Sequence, residues 1–203
     1  MSLLPINIRG GGNIVKWKSI THLIKPGKVD ICFIQKTKLV VLDESIAPLL
    51  WGSYEVEWSE AEPIDGVGGV AILWRKDLLK LSFSFRGIGF VGVNAKWRGQ
   101  ELFFVNIYYS CNLALKKMLW RKLVALKKIF GSFTWFNSAS TSISRRDRFL
   151  LSENLIEDWK IVVKYVGNRD ISDYCPIWLK ANIEDWGPKP FKFNNSWLNH
   201  PDF

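Results

Sequence analysis

The sequence predicts a mixed α/β protein built on two packed sheets, and three observations predict it. The chain opens on a strand–helix–strand pattern. A run of alternating strands at hairpin spacing fills residues 53–108. One amphipathic helix at 113–130 follows, and then a final helix–strand pattern. In 203 residues, 48 % of them apolar, this is one domain's worth of chain with enough material for a sizeable core. Such a composition excludes a disordered tail and a collagen-like chain.

Residues 3–8 are a short apolar run ending in Arg9-Gly10-Gly11-Gly12-Asn13. Ile14, Trp17, Ile20 and Ile24 then recur at helical spacing until Pro26-Gly27 stops them. Residues 29–35 read as a second strand rich in β-branched side chains, and 43–50 as a short helix. Tyr54, Val56 and Trp58 alternate with Glu55 and Glu57, the pattern of a half-buried strand. Gly66-Val67-Gly68-Gly69 reads as a turn before a buried strand at 70–74. Leu81, Phe83 and Phe85 alternate, as do Val91, Val93 and Ala95; Arg98-Gly99-Gln100 turns the chain into a strand at 102–108. In 113–130, Leu115, Leu119, Leu123, Leu126 and Phe130 make one stripe, with lysines and Arg121 mainly opposite. Residues 131–144 read as loop, 149–159 as helix, and 160–166 and 175–181 as the last strands. Gly187-Pro188-Lys189-Pro190 marks a boundary between a domain at 1–186 and an aromatic tail at 187–203.

The formal net charge is +9, which favours polyanionic partners such as nucleic acid or an anionic membrane surface. Between Glu101 and Asp147 there is no acidic residue, while Lys116, Lys117, Arg121, Lys122, Lys127, Lys128, Arg145 and Arg146 fall there. A solvated helix face explains such a run, and so does phosphate contact. Cys32, Cys111 and Cys175 lack metal-site or redox spacing, and with only His22 and His200 a histidine-based site is poorly supplied. No stretch is long and apolar enough to span a bilayer and no signal peptide opens the chain, so the expected location is nuclear or cytoplasmic. The glycine loop at 9–13 suits a plain connection or a phosphate cradle, but lacks G-x-G-x-x-G spacing. Asn194-Asn195-Ser196 matches a glycosylation pattern by chance.

Asn7 and Gln35-Lys36-Thr37 put polar residues at the ends of apolar strands, where sheet enzymes collect their active groups. Ser144-Arg145-Arg146-Asp147-Arg148 and Ser172-Asp173-Tyr174-Cys175-Pro176 do the same. With Asn7-Ile8-Arg9-Gly10, Asp30 to Lys38, Gly68 to Trp74, Val105-Asn106-Ile107-Tyr108 and Phe133-Thr134-Trp135, they resemble the endonuclease/exonuclease/phosphatase superfamily. The match is closest to the apurinic-type endonuclease domain of plant LINE-type (non-LTR) retrotransposons. The resemblance implies a four-layered α/β sandwich, and the tail resembles the linker that leads to a reverse transcriptase in full-length elements.

That family cleaves phosphodiesters with a divalent metal, usually magnesium. The resemblance matches Asn7 to the metal-proximal Asn and Tyr108 to the phosphate-contacting Tyr. It matches Asp147 to the Asp that orients a His, and Asp173 to the Asp before that His. Three departures follow. Lys36 stands where the family has its metal-ligand Glu, and Tyr174 where it has the His. The Gly-Asp-Phe-Asn motif is missing, so a core strand and helix are expected to be lacking after residue 131, an internal deletion near 131–133. The expectation is a catalytically inactive remnant that binds no magnesium and keeps weak affinity for DNA or other nucleic acid through Lys116, Lys117, Arg121, Lys127, Lys128 and Arg145. Two alternatives stand beside it. One is a residual active endonuclease; the other is a basic module whose helix 113–130 binds an acidic protein or a membrane surface. If the fold closes, Lys36 is expected to pair with Asp173.

Overall fold

The computed structural model describes residues 1–10, 14–38, 41–64, 67–108, 117–119, 121–122, 125, 134–135, 150–151, 161–166 and 176–181. In chain order the elements are β1 (Ser2–Asn7), α1 (Ile14–Ile24), β2 (Ile31–Gln35), α2 (Ala47–Trp51), β3 (Val56–Ile64) and β4 (Val67–Arg75). They continue with β5 (Lys80–Gly87), β6 (Phe90–Trp97), β7 (Gln100–Ile107), β8 (Thr134–Trp135), β9 (Leu150–Leu151), β10 (Ile161–Val166) and β11 (Ile177–Ala181).

The opening βαβ unit forms as expected: β1 and β2 run parallel, in register from Leu3 opposite Ile31 to Asn7 opposite Gln35. Antiparallel neighbours extend this pair into a six-stranded sheet of order β10-β11-β1-β2-β4-β3. A meander, β5-β6-β7, makes a second sheet. The alternation of side chains along β1, β2 and β4 decides the layering. Leu3, Ile31, Phe33, Val70, Ile72 and Trp74 face one way and pack on Val91, Val93, Ala95, Leu102 and Phe104 of the second sheet. Leu4, Ile6, Cys32, Ile34, Ala71 and Leu73 face the other way and pack on Ile20 and Ile24 of α1 and Ala47, Leu50 and Trp51 of α2. The central strands are therefore apolar on both faces, which is why 29–35 and 70–74 read as continuous apolar runs. Each fully buried Ile or Leu here contributes roughly 1.5–3 kcal/mol. Cys32 is among them; burial pushes its thiol pKa up and leaves it inert.

Several boundaries differ from expectation. Gly68 and Gly69 belong to β4 rather than to a turn, because their backbones stay in the β3 ladder, with Pro63 opposite Gly68. The helix expected at 43–50 begins only at Ala47: the Asp43 carboxylate accepts from the Ser45 and Ile46 amides at 2.9 and 3.0 Å and holds a turn instead. Those bonds, with one from the Ser45 hydroxyl, keep Asp43 below the usual carboxylate range. Thr134–Trp135 and Leu150–Leu151, expected as loop and helix, pair as an antiparallel ladder between segments far apart in sequence. Such non-local pairing leaves no periodic trace in so short a segment. Residues 117–119, 121–122 and 125 are helical, with Leu119 buried and Lys117 and Arg121 exposed, as the stripe requires. The domain boundary at 186–187, the tail and the junction at 131–133 lie outside the described residues. Among the described residues no helix is long and apolar enough to cross a membrane.

Candidate nucleic-acid interface

Because β1 and β2 are parallel, they end side by side, and the chain leaves both at the same edge of the sandwich. Ile8 N donates to Gln35 O at 3.0 Å and Gly10 N to Lys36 O at 2.7 Å, so the two exits are tied together. Thr37 N and Lys38 N donate to Gly69 O and Gly68 O at 3.1 and 3.0 Å, tying the second exit to the start of β4. This tight path needs unusual backbone. Arg9, Lys36 and Lys38 all have positive φ, at 49°, 56° and 51°. Left-handed conformation in residues with a Cβ costs of order 1 kcal/mol or more each and persists only where surroundings over-determine it. Gly69, at φ +79°, lies so close to Thr37 that a Cβ would collide with the buried threonine hydroxyl.

The second sheet is fastened to this edge by two side chains, Asn106 and Gln35. Asn106 of β7, 2 % exposed, donates from Nδ2 to Ile34 O at 2.9 Å and Ala71 O at 2.8 Å. Gln35 Nε2 donates to Ile107 O at 2.9 Å and Asn106 Oδ1 at 3.3 Å. These bonds set the end of β7, and with it Tyr108, whose amide donates to Gly89 O at 2.8 Å. The half-buried Tyr108 ring lies beside Gly68, and the Lys36 ammonium sits 5.3 Å from its centroid, a cation–π contact.

Asn7, Lys36 and Tyr108 thus lie at one edge. Asp147, Asp173 and Tyr174 lie outside the described residues, and so does the expected Lys36–Asp173 pair; the described partner of the Lys36 ammonium is the Tyr108 ring. Lys117 and Arg121 are exposed on the helical segment, while Lys116, Lys127, Lys128 and Arg145 lie outside the described residues. The edge carries further cations that sequence reasoning did not assign. Exposed Arg9 and Lys38 flank it, and Lys16 of α1 caps the end of β1, its Nζ donating to Ile8 O at 2.9 Å and Gly10 O at 3.3 Å. Lys16 is one helical turn past the glycine loop, a spacing that would have pointed to it. Asn106 had no signal of its own, because its partners lie on strands distant in sequence.

Magnesium takes oxygen ligands, chiefly carboxylates, in near-ideal octahedral geometry. The described residues of this edge do not fit it. An ammonium, which cannot donate a lone pair to a metal, occupies the Lys36 position. No group of three or more His, Cys, Asp or Glu that could hold a metal occurs among the described residues.

No protein-family model and no curated protein matches the sequence. Solved structures match the fold. The endonuclease domain of TRAS1, a telomere-specific non-LTR retrotransposon, is similar with TM-score 0.63 at 13 % identity, over 90 % of this chain and 99 % of that one. An AP endonuclease from Archaeoglobus fulgidus gives TM-score 0.62 at 13 % identity, over 90 % and 100 % of the two chains. The AP endonuclease LMAP from Leishmania major gives 0.58 at 12 % identity, over 88 % and 86 %. The chain therefore has the endonuclease/exonuclease/phosphatase-type fold, an α/β sandwich.

Proposed function

We propose that this chain is a nuclease-fold domain that holds a nucleic-acid backbone without cutting it, descended from a non-LTR retrotransposon endonuclease of the kind that precedes a reverse transcriptase. One observation carries the reading. This edge presents the Lys36 ammonium over Tyr108, at the position that the resemblance gives to a metal-binding carboxylate. An ammonium cannot ligate magnesium and repels it, whereas it attracts a phosphodiester. Exposed Arg9 and Lys38 beside it extend the positive surface, and the net charge of +9 favours approach of any polyanion. The fold likeness to the TRAS1 endonuclease domain supports the descent. In this reading residues 1–186 are the domain and 187–203 the stub of a linker.

The test uses a labelled oligonucleotide in magnesium buffer, followed for binding and for cleavage together. Binding should be indifferent to sequence and weaken linearly with log salt, with a slope of about −0.7 to −0.9 per phosphate contacted. The oligonucleotide should stay intact, and calorimetric titration should detect no tight magnesium site. Accumulating product, or affinity that does not change with salt, would overturn the proposal.

A further inference from the structure

We infer that the Lys36 ammonium is itself the resident cation of this edge, so that it binds a phosphate group without any metal. This rests on the reading of the edge as an anion site and adds that the ammonium is preorganised for the phosphate, so that affinity is independent of magnesium. Three observations support it. The Lys36 backbone is fixed from three sides: its carbonyl accepts from Gly10 N at 2.7 Å, and the next two amides bond to Gly69 and Gly68. It is held in left-handed conformation at φ 56° by the tight path between the two strand exits. And its ammonium lies over an aromatic face rather than in an ion pair, with no carboxylate partner among the described residues. A ring face polarises toward a cation without neutralising it, so the charge stays available to a second partner. A pinned backbone, an ammonium held over a ring and a charge with no ion-pair partner among the described residues together give a preorganised point cation, which lowers the ordering cost of binding.

The ligand is a phosphate oxygen, from an internal phosphodiester or from a terminal phosphate. Oligonucleotides of equal length with a 5′-phosphate or a 5′-hydroxyl separate the sources: equal affinity assigns the internal group, and preference for the phosphorylated strand assigns the terminal one. Affinity for the oligonucleotide and for inorganic pyrophosphate is then measured in EDTA and in magnesium at matched ionic strength. The wild type should bind equally in both. Lys36→Gln should weaken both ligands roughly tenfold, the scale of one charge-assisted contact. Lys36→Arg should keep most of the affinity, and Tyr108→Phe, which preserves the ring, should keep more than Tyr108→Leu. A thermal melt of each variant separates lost binding from lost fold. Magnesium-dependent wild-type binding, or wild-type affinity in Lys36→Gln, overturns the inference. If the oligonucleotide fails to bind while pyrophosphate binds through Lys36, the nucleic-acid reading falls and this inference stands. If the oligonucleotide binds regardless of Lys36, the reverse holds.

Discussion

The two ends of the same central strands are built in opposite ways. Where β2 begins and β4 ends, charge is neutralised: Asp30 accepts from Ser2 N at 2.8 Å and pairs with Arg75 at 3.2 Å, and Arg75 pairs onward with Asp77 at 2.7 Å. Asp30, Arg75 and Asp77 have ordinary backbone, and Lys28, in the turn before β2, is the left-handed residue at this end, at φ 46°. Where β2 ends and β4 begins, three cationic residues, Arg9, Lys36 and Lys38, adopt left-handed backbone. Neither Lys36 nor Lys38 has an ion-pair partner among the described residues. Arg75 is 45 % exposed, so its pairs contribute at most about 1 kcal/mol each and serve to close the sheet. Left-handed backbone occurs at both ends, and what sets the second apart is that three such cationic residues cluster around one pair of strand exits. A positive residue is informative only together with its partners and its backbone.

The largest expected effect comes from the bond that fastens the two sheets at the cleft. Asn106→Leu strands two buried carbonyls and should lower stability by about 3 kcal/mol, read from urea denaturation. It should also weaken oligonucleotide binding by displacing Tyr108. Unchanged stability would break the comparison, since the cleft would then not depend on this link. Gly69→Ala comes next: positive φ and collision with Thr37 should cost about 2 kcal/mol and loosen the exit that carries Lys36. A smaller effect is expected from Glu60, on the helix-packed side of β3. Burial first, then Glu62 and Asp43, raise its carboxyl above the usual range, against the bond from Leu42 N. Native Glu60 therefore takes up its proton at higher pH than unfolded Glu60, so its contribution to stability grows as pH falls through that window and is lost as pH rises. Glu60→Gln should raise the melting temperature slightly at neutral pH, and the difference should vanish under acid conditions. No binding change is expected, because the residue is away from the cleft.

Much of this was legible in the sequence because the central strands announce themselves. Cys32 to Ile34 and Val70 to Trp74 are buried on both faces, so their apolar runs survive any register. The parallel βαβ pattern alone brings Asn7 beside Gln35 and Lys36. The glycines at 68 and 69 misled, since positive φ inside a ladder looks like a turn when the partner strand is unseen. Asn106 stands out in the sequence only as part of a motif; its role depends on carbonyls 72 and 35 residues away. The cation over Tyr108 could not be read at all, because a cation–π contact between β2 and β7 has no local signature.

The most direct test of the central claim is a pair of charge-equivalent substitutions at the two ends. Lys36→Gln and Lys76→Gln each remove one positive charge, the first at the strained cleft and the second at the exposed turn that follows Arg75. Affinity for one labelled oligonucleotide is measured for both at the same ionic strength in EDTA. Lys36→Gln should lose affinity roughly tenfold, and Lys76→Gln should keep wild-type affinity. Equal losses would contradict the claim, because binding would then follow net charge rather than the built site.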